Sequence, residues 1–401
     1  MKSINLILIN FFIIIYPWGR FLDKLIFGDL EYGAKGLSTI VLLFIIILSF
    51  FSGTINKGLN KVPNKFLISI FLFFTIIATI ISKSPEKLFS DFINLIIYFL
   101  LIFVFVGINL SNNQIYRLIK LLMFSTFLMC LFSILDFFNI IQIPYFNDSI
   151  SNVRLDNQVI FDLTGPFVSR TDIGLHVVLM VFLPIIFLFS KKITFLTFLI
   201  YGSIFSTFVF TAFFSNSRSI FVSVIICIMY FIIISFKHFK NAKIIFWLTF
   251  ISFISYLVLF NFSFDSLIDG SSLLNRDYGG SSDWTRFYAF TTTLIDVIEN
   301  PVGLGFDRPY IEEIASYQDV HNSYTFLLRC GGFIGFISLC YFFRPLFRKI
   351  LNFRVSINEL LFVTPVISVL VFGFFHTSIQ FSTFWILVAI SYSSIYNNKV
   401  V

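Results

Sequence analysis

The chain has 401 residues, of which 58% are hydrophobic and only 12% charged, and its mean hydropathy is +0.93. So few polar side chains cannot cover a water-soluble globular domain, which excludes a soluble enzyme and indicates an integral membrane protein. The net charge of +7 at pH 7 invites a reading as a nucleic-acid binder, but its distribution along the chain assigns it to membrane orientation instead.

Apolar runs of roughly 16 to 22 residues recur along the chain, close to the roughly 20 that span a hydrocarbon core as a helix. A β-barrel would alternate apolar and polar residues in segments of about 10. The expected fold is therefore an all-α integral membrane protein with about twelve transmembrane helices, at 4–18, 37–52, 66–82, 91–108, 117–139, 172–190, 193–214, 219–236, 244–262, 323–343, 358–375 and 380–396. Lys2 and the first apolar run resemble a secretory signal, but no small-x-small cleavage site follows "FFIIIYPWGR", so this run is read as an uncleaved first helix. Counting lysine and arginine on alternate loops, with a cytoplasmic N-terminus, puts sixteen bases and one acid, Glu359, on the inner side, against twelve bases and twenty acids outside. This asymmetry predicts cytoplasmic N- and C-termini, with the inner bases meeting anionic lipid headgroups. Cys130, Cys227, Cys330 and Cys340 all fall within expected spans, without CxxC or metal-ligand spacing, so neither a disulfide framework nor a metal site is expected.

Two outward loops are long, at roughly 140–171 and 263–322. Residues 1–262 then carry helices one to nine, residues 263–322 the long loop, and residues 323–401 helices ten to twelve. In the first long loop, "GPFVSRTDIGLH" carries Arg170, for which nearby Asp172 is an ordinary partner. Arg218, in "FFSNSRSIF", sits between two spans joined by almost no loop; an arginine at that depth is either a snorkelling interfacial side chain or one facing a wet cavity or an anionic ligand.

Within the second loop, "SSDWTRFYAFTTTLIDVIENPVGLGF" places apolar residues at 284, 287, 288, 294, 295 and 298 with helical spacing. Ser282 or Asp283 is an N-cap candidate, and "ENP" ends the helix at Asn300. This predicts an amphipathic helix of about 16 residues lying along the outer membrane face, with Gly303 and Gly305 in the turn after it. Arg286 falls in its first turn, where a guanidinium beside free backbone N–H groups suits a phosphate; Asp283 is the alternative partner. His321, Thr325 and Arg329 then recur at helical spacing as a polar strip entering the tenth span. Gly331 and Gly335 form a GxxxG pair that predicts close packing of another helix. A lone interfacial histidine is usually structural, but beside these arginines His321 becomes a candidate base.

"HNSYTFLLRCGGFIG", a His-Asn pair, nine intervening residues and then Gly332-x-x-Gly335, is similar to the signature of the bacterial O-antigen polymerase and O-antigen ligase superfamily. "SNSRSIFVSVI" resembles the family's arginine segment, "DWTRFYAFTTTLIDVIENPVGLGF" its periplasmic arginine helix with the trailing Pro-x-Gly turn, and "GPFVSRTDIGLH" its mid-chain outward segment. Their order and the long loop before the last three spans also agree. The resemblance implies a GT-C-like glycosyltransferase of the bacterial inner membrane, with a periplasmic active site and a polyprenyl-diphosphate-linked donor. It implies no metal and no other cofactor. The expected partners are undecaprenyl-diphosphate-linked glycan, membrane lipids and a chain-length regulator protein, but not nucleic acid. By position, Arg218 and Arg286 match the arginines thought to hold the donor diphosphate, and His321 matches the essential histidine. Arg170, Asn322, Tyr324 and Arg329 are the further residues expected at the substrate. The chain departs from many relatives at Cys330, where they carry a glutamate, and Arg329 inherits no role. The AT-rich, Phe-heavy composition favours a polymerase; a ligase that transfers the glycan to lipid A core is the alternative. A lipid-linked oligosaccharide transporter is less favoured, because the ionisable residues gather at the outward ends of spans.

Overall fold

The computed structural model describes residues 2–27, 36–82, 91–147, 153–155, 158–160, 163–167, 170–189, 194–215, 217, 219–220, 223–224, 226, 230, 281–311, 316–317, 322–351, 357–374, 376 and 382–397. Helices dominate. In chain order they are α1 (Lys2–Ile15), a 3-10 turn (Tyr16–Trp18), α2 (Gly19–Phe27), α3 (Leu37–Phe51), α4 (Thr54–Lys61), α5 (Phe66–Ile80), α6 (Ile93–Ile108) and α7 (Asn112–Phe137). After these come α8 (Arg170–Met180), α9 (Leu183–Phe189), α10 (Phe195–Phe214), α11 (Ser281–Glu299), α12 (Ser323–Leu351), α13 (Ile357–Phe372) and α14 (Ser382–Asn397). The described fold is all-α in class, with two small antiparallel hairpins in its connections: β1 (Val153–Leu155) with β2 (Gln158–Ile160), and β3 (Tyr310–Ile311) with β4 (Ser316–Tyr317).

Ten of the twelve expected apolar segments coincide with helices; most of 219–236 and all of 244–262 lie outside the described residues. Among the described residues, four helical stretches, Ile4–Ile26, Asn112–Phe137, Phe195–Phe214 and Ser323–Leu351, are long and apolar enough to cross a membrane. α3 and α4 make a fifth if taken together, although they are bent by 81°. The sixth expected segment is two helices, because Pro184 has no N–H to offer the preceding turn. α4 did not stand out as an element because "TINKGLNK" is short and half polar.

The chain forms two compact units. The first comprises Met1–Ser125, Ser281–Asn352 and Val369–Val401. In it α5 packs along α12, and α6 packs between α4 and α14. The α4–α6 crossing is close enough that a Cβ on Gly58 would stand 1.9 Å from the Phe103 carbonyl oxygen, and one on Gly107 2.0 Å from that of Thr54. The core is an aromatic cluster: Trp385 stacks on Tyr98 at 5.8 Å and meets Phe99 edge-on at 5.0 Å, while Tyr392 stacks on Phe342 at 5.0 Å and donates its hydroxyl to the Phe342 carbonyl.

The second unit comprises Thr126–Gly280 and Phe353–Ser368, with α10 packed on α8 and α9. Its hub is Asn147. The amide oxygen of Asn147 accepts the backbone N–H groups of Thr164 and Gly165 at 3.1 and 2.7 Å. Its amide nitrogen donates to the Ser133 carbonyl and the Asp136 carboxylate near the end of α7.

Candidate functional site

Asn322 starts α12 as its N-cap. Its side-chain oxygen accepts the backbone N–H groups of Tyr324 at 2.9 Å and Thr325 at 3.2 Å, two donors that a helix start otherwise leaves unsatisfied. Its amide nitrogen donates to the Phe374 carbonyl at 3.0 Å. The adjoining residues act in the same direction: Ser323 donates its backbone N–H to Gly373 and its hydroxyl to the His376 carbonyl, and the Tyr324 hydroxyl donates to Leu370 at 2.6 Å. The polar "NSY" run thus ties the start of α12 to the end of α13, where helix-terminal carbonyls need donors. Asn322 and Tyr324, expected at the substrate, both have hydrogen bonds to this joint. His321 lies outside the described residues.

About two and a half turns further in, α12 breaks. Gly332 has φ +62° and ψ −171°, so the regular bond from the Phe333 N–H to the Arg329 carbonyl is lost. The turn after α11 takes up both groups: the Leu304 N–H donates to the Arg329 carbonyl at 2.8 Å, and the Phe333 N–H donates to the Pro301 carbonyl at 3.1 Å. This insertion requires glycines on both sides. A Cβ on Gly332 would stand 2.1 Å from the Pro301 carbonyl oxygen, and one on Gly303 (φ +99°) 2.6 Å from that of Arg329. Gly331 and Gly335 pack against Phe71, and Gly335 also against Phe74, both of α5, in line with the expected GxxxG role. Gly332 has the separate role of the break.

Arg329 lies in this break and is 4% exposed. Its guanidinium pairs with the Asp296 carboxylate on α11, and its Nε donates to the Asp307 carbonyl at 2.7 Å. A buried arginine in an apolar helix is tolerated only when paired, and here the partner lies 33 residues earlier. Asp296 also ends α11, its carbonyl accepting the Asn300 backbone and side-chain N–H groups.

α11 runs from Ser281 to Glu299, so Arg286 falls in the second turn of the helix and not in the first as expected; its side chain is outside the described residues. Position 286 shares a helical stripe with Ala289, Thr293 and Val297, which are all buried. Phe287, Phe290, Ile295 and Ile298 form an exposed apolar face.

In the second unit, Arg170 opens α8, with Asp172 in the first turn. His176 is buried, donates Nδ1–H to the Asp172 carbonyl at 2.9 Å and stacks on Phe167. A Cβ on Gly174 would stand 1.7 Å from the Ile220 side chain, so the turn after Arg170 presses on the residue two places after Arg218. Arg218 and the side chain of Arg170 lie outside the described residues.

Sequence reasoning passed over two residues of the first unit: Asp296, which read as one more polar position of an amphipathic helix, and His376, whose carbonyl accepts from Ser323 and whose ring stacks on Phe372 at 4.9 Å. The available signal for His376 was a histidine at the end of the "FGFFH" apolar run, in the same position relative to a span as His321. Among the described residues, no three His, Cys, Asp or Glu side chains gather to hold a metal ion. No curated protein matches the chain. Residues 203–340, which run from α10 through α11 and the inserted turn to Cys340 in α12, match the family model described as O-antigen ligase, which places this segment of the chain with the O-antigen ligase and polymerase superfamily.

Proposed function

We propose that the protein is an O-antigen polymerase of the bacterial inner membrane, which transfers a growing glycan from undecaprenyl diphosphate to a sugar hydroxyl of a lipid-linked repeat unit on the periplasmic face. The observation that carries the reading is the joined α11–turn–α12 unit inside the family-matched segment: the helix that bears Arg286 is bonded directly to the helix that follows the His-Asn pair.

In this reaction the bond between the anomeric carbon and the phosphate oxygen breaks, and a bond from the acceptor oxygen to that carbon forms. The leaving polyprenyl diphosphate carries the negative charge away. Arg286 and Arg218 neutralise that charge, since a guanidinium keeps its proton and offers a planar fork to phosphate oxygens. His321 accepts the proton from the attacking hydroxyl. Fixed cations placed where charge develops are each worth about 100- to 1000-fold in rate. A second reading, ligation of the finished glycan onto lipid A core, uses the same groups and is favoured by the description of the matched family.

Replacing His321, Arg218 and Arg286 singly with alanine in cells that make the polysaccharide tests the reading on a length-ladder gel. A polymerase loses all long chains and keeps single repeats on the core, whereas a ligase loses even single repeats and accumulates lipid-linked polymer. A wild-type ladder from all three variants would contradict both.

A further inference from the structure

We infer that Arg329 is a positioning residue, a latch that holds the arginine helix in register with the entrance of α12; this rests on the proposed glycan transfer. Three observations carry it. The guanidinium of Arg329 reaches two separate parts of the preceding segment, the Asp296 carboxylate on α11 and the Asp307 carbonyl beyond the turn. The Arg329 backbone carbonyl, freed by the Gly332 break, takes the N–H of Leu304 between those two points. Finally, the side chain is 4% exposed, in a position where an apolar residue would fill the same volume without an ion pair.

All three bonds fix one relationship: that of α11 and its turn to α12. Packing of α11 on α12 with only the buried stripe of Ala289, Thr293 and Val297 would permit sliding by a turn, because a stripe without charge specifies register weakly. A charge pair and an inserted backbone turn do not permit it. In sequence, Arg286 precedes Asp296 by ten residues on one helix, and His321 precedes Arg329 by eight. A latch between Asp296 and Arg329 therefore fixes the spacing between the segments that bear the proposed cation and the proposed base.

The test is a kinetic split in the purified protein reconstituted in vesicles, using lipid-linked repeat units extracted from the producing cells. Asp296→Asn and Arg329→Met are expected to lower kcat per folded molecule by about tenfold or more, as misplacement of reacting groups does. The donor KM should move by less than about threefold, because neither residue touches the donor. Arg329→Lys keeps the ion pair without the second bond and is expected to recover part of the rate. Asp296→Asn leaves the buried Arg329 cation without its counter-charge, whereas Arg329→Met leaves only the part-exposed Asp296 carboxylate, so Arg329→Met keeps the chain folded if Asp296→Asn does not. A wild-type kcat in Arg329→Met, whether or not its melting temperature falls, would overturn the latch and leave the function standing. A wild-type protein that transfers no glycan would overturn both.

Discussion

Gly332 is a residue whose identity is dictated by its neighbours. Its left-handed backbone alone disfavours a side chain by about 1–2 kcal/mol, and a Cβ would meet the Pro301 carbonyl oxygen at 2.1 Å. Gly332→Ala should therefore destabilise the protein by at least about 2 kcal/mol, seen as a lower melting temperature in detergent, while Gly335→Ala, with its nearest contact at 3.4 Å, should change it far less. Equal losses in the two variants would contradict the inserted-turn geometry. At the start of the same helix, Asn322→Ala removes an N-cap worth about 1 kcal/mol and leaves the Phe374 carbonyl without this donor. Asn322→Asp keeps the cap oxygen and is expected to melt between Asn322→Ala and wild type; a melting temperature at or below that of Asn322→Ala would mean that the cap is not what Asn322 contributes. None of these roles was legible from the residues alone. The glycine spacing of "CGGFIG" announces close packing, which Gly331 and Gly335 provide, but whether a glycine packs or breaks depends on a turn thirty residues earlier. For the same reason Arg329 stood unexplained until Asp296, 33 residues away, came beside it.

At the scale of elements, the apolar segments were readable because a helix that spans hydrocarbon must be about 20 residues of apolar side chains, a requirement imposed by the solvent and independent of tertiary partners. The helix at Ser281–Glu299 was readable for a related reason: its periodicity is 3.6 and "NP" closes it. The hairpins at 153–160 and 310–317 were not, since strands of two or three residues carry no period of their own. The exposed face of α11, with Phe287, Phe290, Ile295 and Ile298, belongs against lipid headgroups if the helix lies along the membrane. A bimane label at Ile298→Cys should then be quenched by lipids brominated near the headgroup, and one at the exposed Asn300→Cys much less. Equal quenching at both positions would remove α11 from the membrane surface.

For the whole molecule, the uneven distribution of charge makes a prediction about sidedness. If the sixteen bases and one acid on the expected inner loops set the orientation, the residues around Lys57, Lys61 and Lys65 face the cytoplasm and the turn after α11 lies outside. In a background with Cys340→Ser, a membrane-impermeant maleimide should label Asn300→Cys in intact spheroplasts and Asn60→Cys only after lysis; the reverse pattern would invert the topology. The proposed chemistry requires the first outcome, because the acidic loop, the arginine helix and His321 then share the side on which lipid-linked glycans are extended. The most direct measurement of that chemistry is elongation of purified lipid-linked repeat units by the reconstituted wild-type protein and by His321→Ala, with nothing else added. The account predicts a ladder of extended glycan and released polyprenyl diphosphate from the wild type and neither from His321→Ala; an undiminished ladder from His321→Ala would contradict it.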